Sequence, residues 1–569
     1  MRSAWLAILL LAAGCGPTTA NPSSHGATTS ASSTGGTGAI TSTTTEGTSA
    51  SSSSGTSASS NTSAGTGTSG STTSTSGTSS NTTTSSSTTT TNTTTGTSSA
   101  ASSSTTGNTT GSTSTTGTTG VACNPVTPTP DVDPWSVRAP SAGFGAISTA
   151  QNGSYTDVFL DSPAYGGIAQ GYIRIGARLD WGGSIVFFGL GADASSNTID
   201  ANDTGRELQL ALYDPDRSLQ GCAYNASCQT AQPCPASITY LGWDPVQGGD
   251  ECGHGGTVLN YGQDGDSLQL TIQPLQWNPD WDQQTCVNNA CGASGVPVAV
   301  TYTFELRYVH PNVVEVATQV SSQETIDHQI TTQEFPTLYV AHGQNGPDLP
   351  LLYDAAGNQP SINTPANDGF YVGNFTSPAP WVTWQDASSD YGVALVSDQG
   401  VTAFQGWRGD GSSAPYFHNV RAQMSFGLPA GGAVRGISYL ALGSLATVQG
   451  LIPEILAKRP PFGYVDAPAA AGGSVGGTSV RVEGCVLDTA HINSIDVSLD
   501  GVSLGSIPVN VGRGDVCTVY PDYDGCPNVG FDDTLPAPAL ADGCQHLIRV
   551  SATDGDGNTT VLGERAITE

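Results

Sequence analysis

Lysine is nearly missing from this chain: Lys458 is the only one in 569 residues. Lysine and arginine together number 16 against 47 aspartates and glutamates, a formal net charge of −31. A surface so poor in cations excludes nucleic acid as a partner, because phosphate binding needs a basic patch. Anionic polysaccharides are disfavoured for the same reason, although a local arginine cluster can overcome the global field. Neutral glycans and cationic surfaces suit the charge better. Also missing are a P-loop, an H-E-x-x-H helix, a serine nucleophile elbow and a G-x-G-x-x-G in a βαβ setting. The nucleotide, metalloprotease and serine-hydrolase chemistries borne by those motifs therefore have no anchor here.

Long apolar runs are missing too. The one run, Ala4 to Ala13, follows Arg2 and is too short to persist as a membrane-spanning helix. Small residues then lead into Cys15 in "LLAAGC", which resembles the lipobox of bacterial lipoproteins. Ala12 stands where that family usually carries leucine. The resemblance implies a signal peptide over 1–15, lipidation of Cys15, and a lipid-anchored protein of the cell envelope. An ordinary cleaved signal peptide also exports the chain.

Residues 16–122 follow with no core to build. From 18 to 120 they are almost wholly Ser, Thr, Gly, Asn and Ala, with Glu46 the only charge. Without an apolar face to offset ordering entropy, the segment is expected to be a disordered tether. About 100 such residues reach roughly 55 Å on average.

Twelve cysteines suit an exported, oxidised protein. With Cys15 set aside for lipid, eleven remain, so one thiol is free unless Cys15 is unmodified. Cys222, Cys228, Cys234, Cys252, Cys286 and Cys291 lack a C-x2-C pair and accompanying paired histidines. Disulfides rather than zinc are expected, with no metal and no cofactor.

From Cys123 onward, short runs such as "GYIRIGARL", "RELQLALYD", "VAVTYTFELRYV" and "GISYLALG" alternate or run apolar over strand lengths, bounded by turn residues. One helix is expected around 445–459, weakened by Pro453. The pattern predicts an all-β chain: a large two-sheet β-sandwich over 123–462, a hinge over 463–474 and a small sandwich over 475–569. No repeat of about 40–50 residues supports a propeller. The last segment, with "VSLDGVSLG" and "LADGCQHLIRVSATDGDGNTT", resembles bacterial Ig-like modules. Cys485 with Cys544, and Cys517 with Cys526, are candidate pairings there. "RGD" at 513–515 reads as chance beside a cysteine. "DGDGN" at 554–558 lacks the distal glutamate of an EF-hand and reads as a hairpin turn.

Two clusters carry candidate chemistry. In "NTIDANDTGRELQL", Asp203 and Arg206 precede a strand on which Glu207 and Gln209 share one face. Such a strand can line a polar groove, or Asp203 and Arg206 can simply pin the turn. In "GWDPVQGGDECGHGG", glycines bring backbone close while Asp250, Glu251 and His254 offer acid–base groups. Trp243 can stack on a sugar, and Gln247 adds an amide. A glycine loop pinned by Cys252 is the plainer account. Glu334, in "TTQEFPTLYVAHG", is placed at the end of a strand before Pro336, with His342 beyond. Asp386, Trp381, Trp384, Trp407 and Tyr416 are further candidates for a groove.

The order "DTGRELQ" then "WDPVQGGD" resembles uncharacterised secreted β-sandwich proteins associated with carbohydrate. That resemblance implies a surface-tethered glycan-active protein. A hydrolase would use Asp250 or Glu251 with Glu334 across the scissile bond. His254 would serve as acid–base group, and Trp243, Asp203, Arg206 and Gln247 as binding residues. A lyase variant would use His254 or a tyrosine as base and Arg206 against a uronate. The alternative is a non-catalytic adhesion or glycan-binding lipoprotein.

Overall fold

The computed structural model describes residues 123–163, 171–214, 245–250, 253–277, 295, 297–342, 346–361, 370–409 and 417–569. Cys15, the tether, Trp243, Glu251 and Tyr416 lie outside the described residues. The chain is all β, as its alternation predicts. The clearest case is Val300–His310: Val300, Tyr302, Phe304, Leu306 and Tyr308 are buried, and the residues between them are half-buried. Period-two alternation puts those five on one side of the pleat.

That strand belongs to an antiparallel eight-stranded sheet. Edge to edge it runs Leu351–Asp354, Trp381–Gln385, Gly392–Ser397, Ala433–Leu442, Val313–Ser322, Val300–His310, Ser267–Gln273 and Thr257–Asp264. A seven-stranded sheet runs Phe370–Thr376, Ala403–Gly409, Phe417–Ala422, Glu334–Ala341, Leu208–Ala211, Pro245–Val246 and Leu275–Gln276. Their facing sides share one core, with Leu270, Tyr302 and Phe304 from the first sheet and Leu208, Leu338 and Val420 from the second. Each fully buried side chain of this size contributes about 1.5–3 kcal/mol. A four-stranded meander, Ala146–Asn152 to Ser184–Leu190, joins the same core through Leu160 and Ile175.

The expected helix forms over Leu445–Leu456 in spite of Pro453. The Ser444 side chain accepts from the Thr447 amide, and Val448, Ile452 and Ile455 make a buried stripe. They pack against Trp381, Val396 and Tyr439 on the outer side of the eight-stranded sheet. The cap and the stripe outweigh the single intrahelical bond that a proline removes.

Toward the C-terminus, three strands (Phe462–Ala467, Ser479–Leu487, Gly530–Pro536) and five others (Gly473–Ser474, Thr559–Thr568, His546–Asp554, Ile492–Leu499, Val502–Ile507) form two sheets over a second core. Phe462–Ala467, overlapping the segment read as a hinge, pairs with Ser479–Leu487. The "DG" hairpin forms with Asp500 at φ 50° and Gly501 at φ 80°. Two consecutive positive values are what a two-residue type I′ turn requires. "DGDGN" is likewise a turn: Asp554 Oδ1 accepts from the Asp556 and Asn558 amides. In "RGD", Arg513 pairs with Asp515 and with Asp466.

The Cys517–Cys526 disulfide is present, but Cys544 bonds Cys123 rather than Cys485. The reason is the path of the segment leading in from Cys123. Thr129 donates to Glu564, and Arg565 donates to Asp131, which lays that segment along the five-stranded sheet beside Cys544. Cys485 is itself disulfide-bonded, and no described cysteine is free. Among the described residues no helix is long and apolar enough to cross a membrane.

Candidate functional site

The core-averted face of the seven-stranded sheet is polar across its width. In register, Gln209 lies opposite Thr337, Thr337 opposite Arg421, Arg421 opposite Gln405, and Gln405 opposite Asn374. The next rung carries Tyr339, Asn419 and Trp407. The intervening residues Leu208, Leu338, Val420 and Phe404 point into the core.

Glu334 joins this face through an irregularity. It pairs with Ala211 while Thr337 pairs with Gln209, so one extra residue is accommodated over Phe335–Pro336. Such a bulge puts Glu334 and Thr337 on the same side, which an unbroken strand would not. Pro336 therefore lies inside the strand that Glu334 begins, rather than after one that Glu334 ends.

Around Glu334 the hydrogen bonds converge. Its Oε1 accepts from the Tyr213 hydroxyl at 2.7 Å and from Arg421 at 2.9 Å. The network assigns the Gln209 amide so that its nitrogen donates to Glu334 Oε2 (3.3 Å), the Tyr339 hydroxyl (3.0 Å) and Gly205 O (3.2 Å). Tyr213 is itself fixed, because the Gln333 side chain accepts from its amide and donates to its carbonyl. Farther across, Gln405 and Gln423 both donate to Asn374 Oδ1.

The "DTGR" turn closes the other end. Arg206 pairs with Asp203 and stacks over the Trp277 ring at 4.7 Å. Trp277 packs on Ala211, Val246 and Tyr213. Both readings of this turn therefore apply: the pair pins it, and it borders the polar face. Burial raises the Asp203 pKa against the pull of Arg206. Burial, then Asp203, pushes Asp200 up to about 7. Burial pushes Glu207 up to about 8, although Ser184 donates to it at 2.6 Å. A charge withdrawn from water favours its neutral form.

Asp250 is wholly buried. Its carboxylate accepts from the His254 amide (3.0 Å) and holds His254 Nδ1 at 2.7 Å. A carboxylate on Nδ1 fixes the imidazole's orientation and leaves Nε2 for chemistry. Thr204 donates to the Asp250 carbonyl, which joins this loop to the "DTGR" turn. Gln247 is buried, and its amide is spent on the Leu208 carbonyl and the Leu210 amide. It is a strap along the strand rather than a ligand-facing group.

Asp203, Arg206 and Glu334 are thus linked through Gly205 and Gln209, and Asp250 and His254 connect through Thr204. Trp381 and Trp384 are core, and Asp386 caps a turn at Ser388 and Asp390. Trp407 is half-buried. Arg421, Tyr213, Tyr339 and Trp277 escaped the sequence reading. The signal for Arg421 was present in "HNVRA", where Asn419 and Arg421 alternate with inward Val420 and Ala422.

No family model and no curated protein matches this chain. Among solved structures, it is similar to a polysaccharide lyase at 9% identity and TM-score 0.27. That match covers 71% of this chain and 47% of the lyase, so the chain spans about half the lyase's length. A proposed aldose 1-epimerase from Escherichia coli K12 matches at 10% identity and TM-score 0.29, over 52% of this chain and 99% of that one. A heparinase III matches at 9% identity and TM-score 0.20, over 61% and 39%. Scores this low assign no activity to this chain.

Proposed function

We propose that this chain is a carbohydrate-active protein of the cell envelope, lipid-anchored through Cys15. In this reading the 16–122 tether carries a glycan-active domain (123–462) and an Ig-like module (475–569). The glycan lies across the polar face of the seven-stranded sheet. The observation carrying this reading is Glu334, held by Tyr213, Arg421 and Gln209 on a face also lined by Gln405, Asn419 and Asn374. Amides and a carboxylate read sugar hydroxyls.

The reaction class is hydrolysis of a neutral polysaccharide, with the carboxylates of Glu334 and Asp203 on either side of the bond. His254, oriented by Asp250, serves as a proton carrier. A second reading, glycan binding without turnover, draws support from Glu334 being hydrogen-bonded on both oxygens.

Incubating the purified chain with neutral and acidic polysaccharides, and assaying reducing ends and 235-nm absorbance, separates the readings. New reducing ends that disappear in Glu334→Gln support hydrolysis. Absorbance at 235 nm replaces it with elimination. Retention on a glycan column without product supports binding alone, and neither product nor retention overturns the proposal.

A further inference from the structure

We propose that His342, His418 and Asp348 form a binding site for a divalent transition-metal ion of the zinc class. One donor atom from each residue lies within 4.8 Å of the others. His418 belongs to Phe417–Ala422, and His342 directly follows Glu334–Ala341, so two hydrogen-bonded strands deliver the imidazoles. Their ring centroids are 4.2 Å apart. Asp348 returns from the following segment and places Oδ1 2.6 Å from His342 Nδ1.

The cluster is separate from Glu334. His418 pairs in register with Val340 and Arg408, which puts it on the side of the sheet opposite Asn419 and Arg421. There it stacks on Trp384 of the eight-stranded sheet, at 4.8 Å and 16°. The site therefore lies between the sheets and does not depend on the glycan reading.

Two imidazoles and a carboxylate are the borderline donor set that zinc accepts. A ligating imidazole must be neutral. Zinc holds nitrogen and oxygen ligands at about 2.0–2.2 Å, so the donors must close in on the ion. Asp348, with 54% of its side chain exposed, is free to make that adjustment, while Trp384 fixes His418.

A cavity of about 280 Å³ adjoins the cluster, lined by Leu352, Gln359, Trp384 and Arg408 among others. Trp384 stacks on His418, and Arg408 pairs with it in register. Three protein ligands leave a fourth position for water or for an anionic ligand held by Arg408.

The test uses the full chain, stripped with a chelator, dialysed and titrated with Zn²⁺ by calorimetry. A parallel Co²⁺ titration is followed by visible absorption. One ion per chain is expected, with a Co²⁺ d–d band in the visible. Asp348→Asn and His342→Ala, both at partly exposed positions, should weaken Zn²⁺ binding at least about 10-fold, while the melting temperature of the stripped protein is kept. Uptake below roughly 0.1 ion per chain, or uptake that both variants retain undiminished, overturns the site.

Discussion

Two arginine–carboxylate–tyrosine networks in this molecule use the same residue types for different ends. In one, Asp398 accepts from Arg459, from Tyr439 and from Tyr523, and both ion-pair side chains are 0% exposed. It joins the eight-stranded sheet to the C-terminal sheets, where Arg435 also reaches Tyr520. In the other, Glu334 accepts from Arg421 and Tyr213, with 18% of Arg421 and 11% of Glu334 exposed. A buried pair must be fully satisfied, because stranding one charge costs far more than the pair gains. The first network leaves no room for a ligand and works as architecture. The second keeps its arginine in reach of solvent on a polar sheet face.

Breaking the architectural network should give the largest effect. Asp398→Ala strands Arg459, which is fully buried, and should cost about 3–5 kcal/mol in denaturant unfolding. A loss below about 1 kcal/mol would mean the network is looser than its burial implies. Glu334→Gln should act the other way round. It keeps the volume and an acceptor oxygen for Tyr213 and Arg421 while losing the acceptor facing Gln209, so stability should fall by under about 1.5 kcal/mol. Product formation should drop by about 10²-fold or more. If Glu334→Gln costs as much stability as Asp398→Ala, the two networks are the same kind of object.

The contrast between the networks explains what could be read beforehand. The strand pattern was legible because alternation is local: Val300–His310 states its own faces. The same alternation in "HNVRA" marked Arg421 as opposite in face to Val420. What no local pattern conveys is that Arg421, Tyr213 and Gln209 all meet Glu334, since these come from separate elements. The side on which Glu334 emerges depends on the bulge at Phe335–Pro336. Gln247 misled for the converse reason: a polar residue in a glycine loop looks ligand-facing until its amide is found spent on backbone. Cys544 misled because its partner arrives from the far end of the chain, 421 residues away.

A matched pair of hydroxyl deletions sharpens the comparison at smaller scale. Tyr523→Phe removes one donor to buried Asp398 and should cost about 1–3 kcal/mol in stability. Tyr213→Phe removes one donor to Glu334, and its main effect should be on glycan retention or turnover, read by the same column and reducing-end assays. A Tyr213→Phe protein that is less stable yet unaltered toward glycans would move Glu334 to the architectural class.

A pH dependence should be shared by both regions. Burial raises Asp200 to about 7 and Glu207 to about 8 beside the polar face. In the C-terminal sheets, burial, then Asp554 and Asp398, raises Asp488 to about 8. In each case the folded chain keeps a proton that the unfolded chain releases near pH 4. Stability therefore falls as pH rises, because the native state binds more protons. The stability from these groups is full below about pH 4 and lost progressively as pH climbs through 7 and 8. Melting temperatures measured from pH 5 to 9 should decline over that window. Glu207→Gln and Asp488→Asn should each flatten part of the decline, by independent amounts, because the two lie in separate cores. A wild-type melting temperature that rises across the window would contradict the direction of all three shifts.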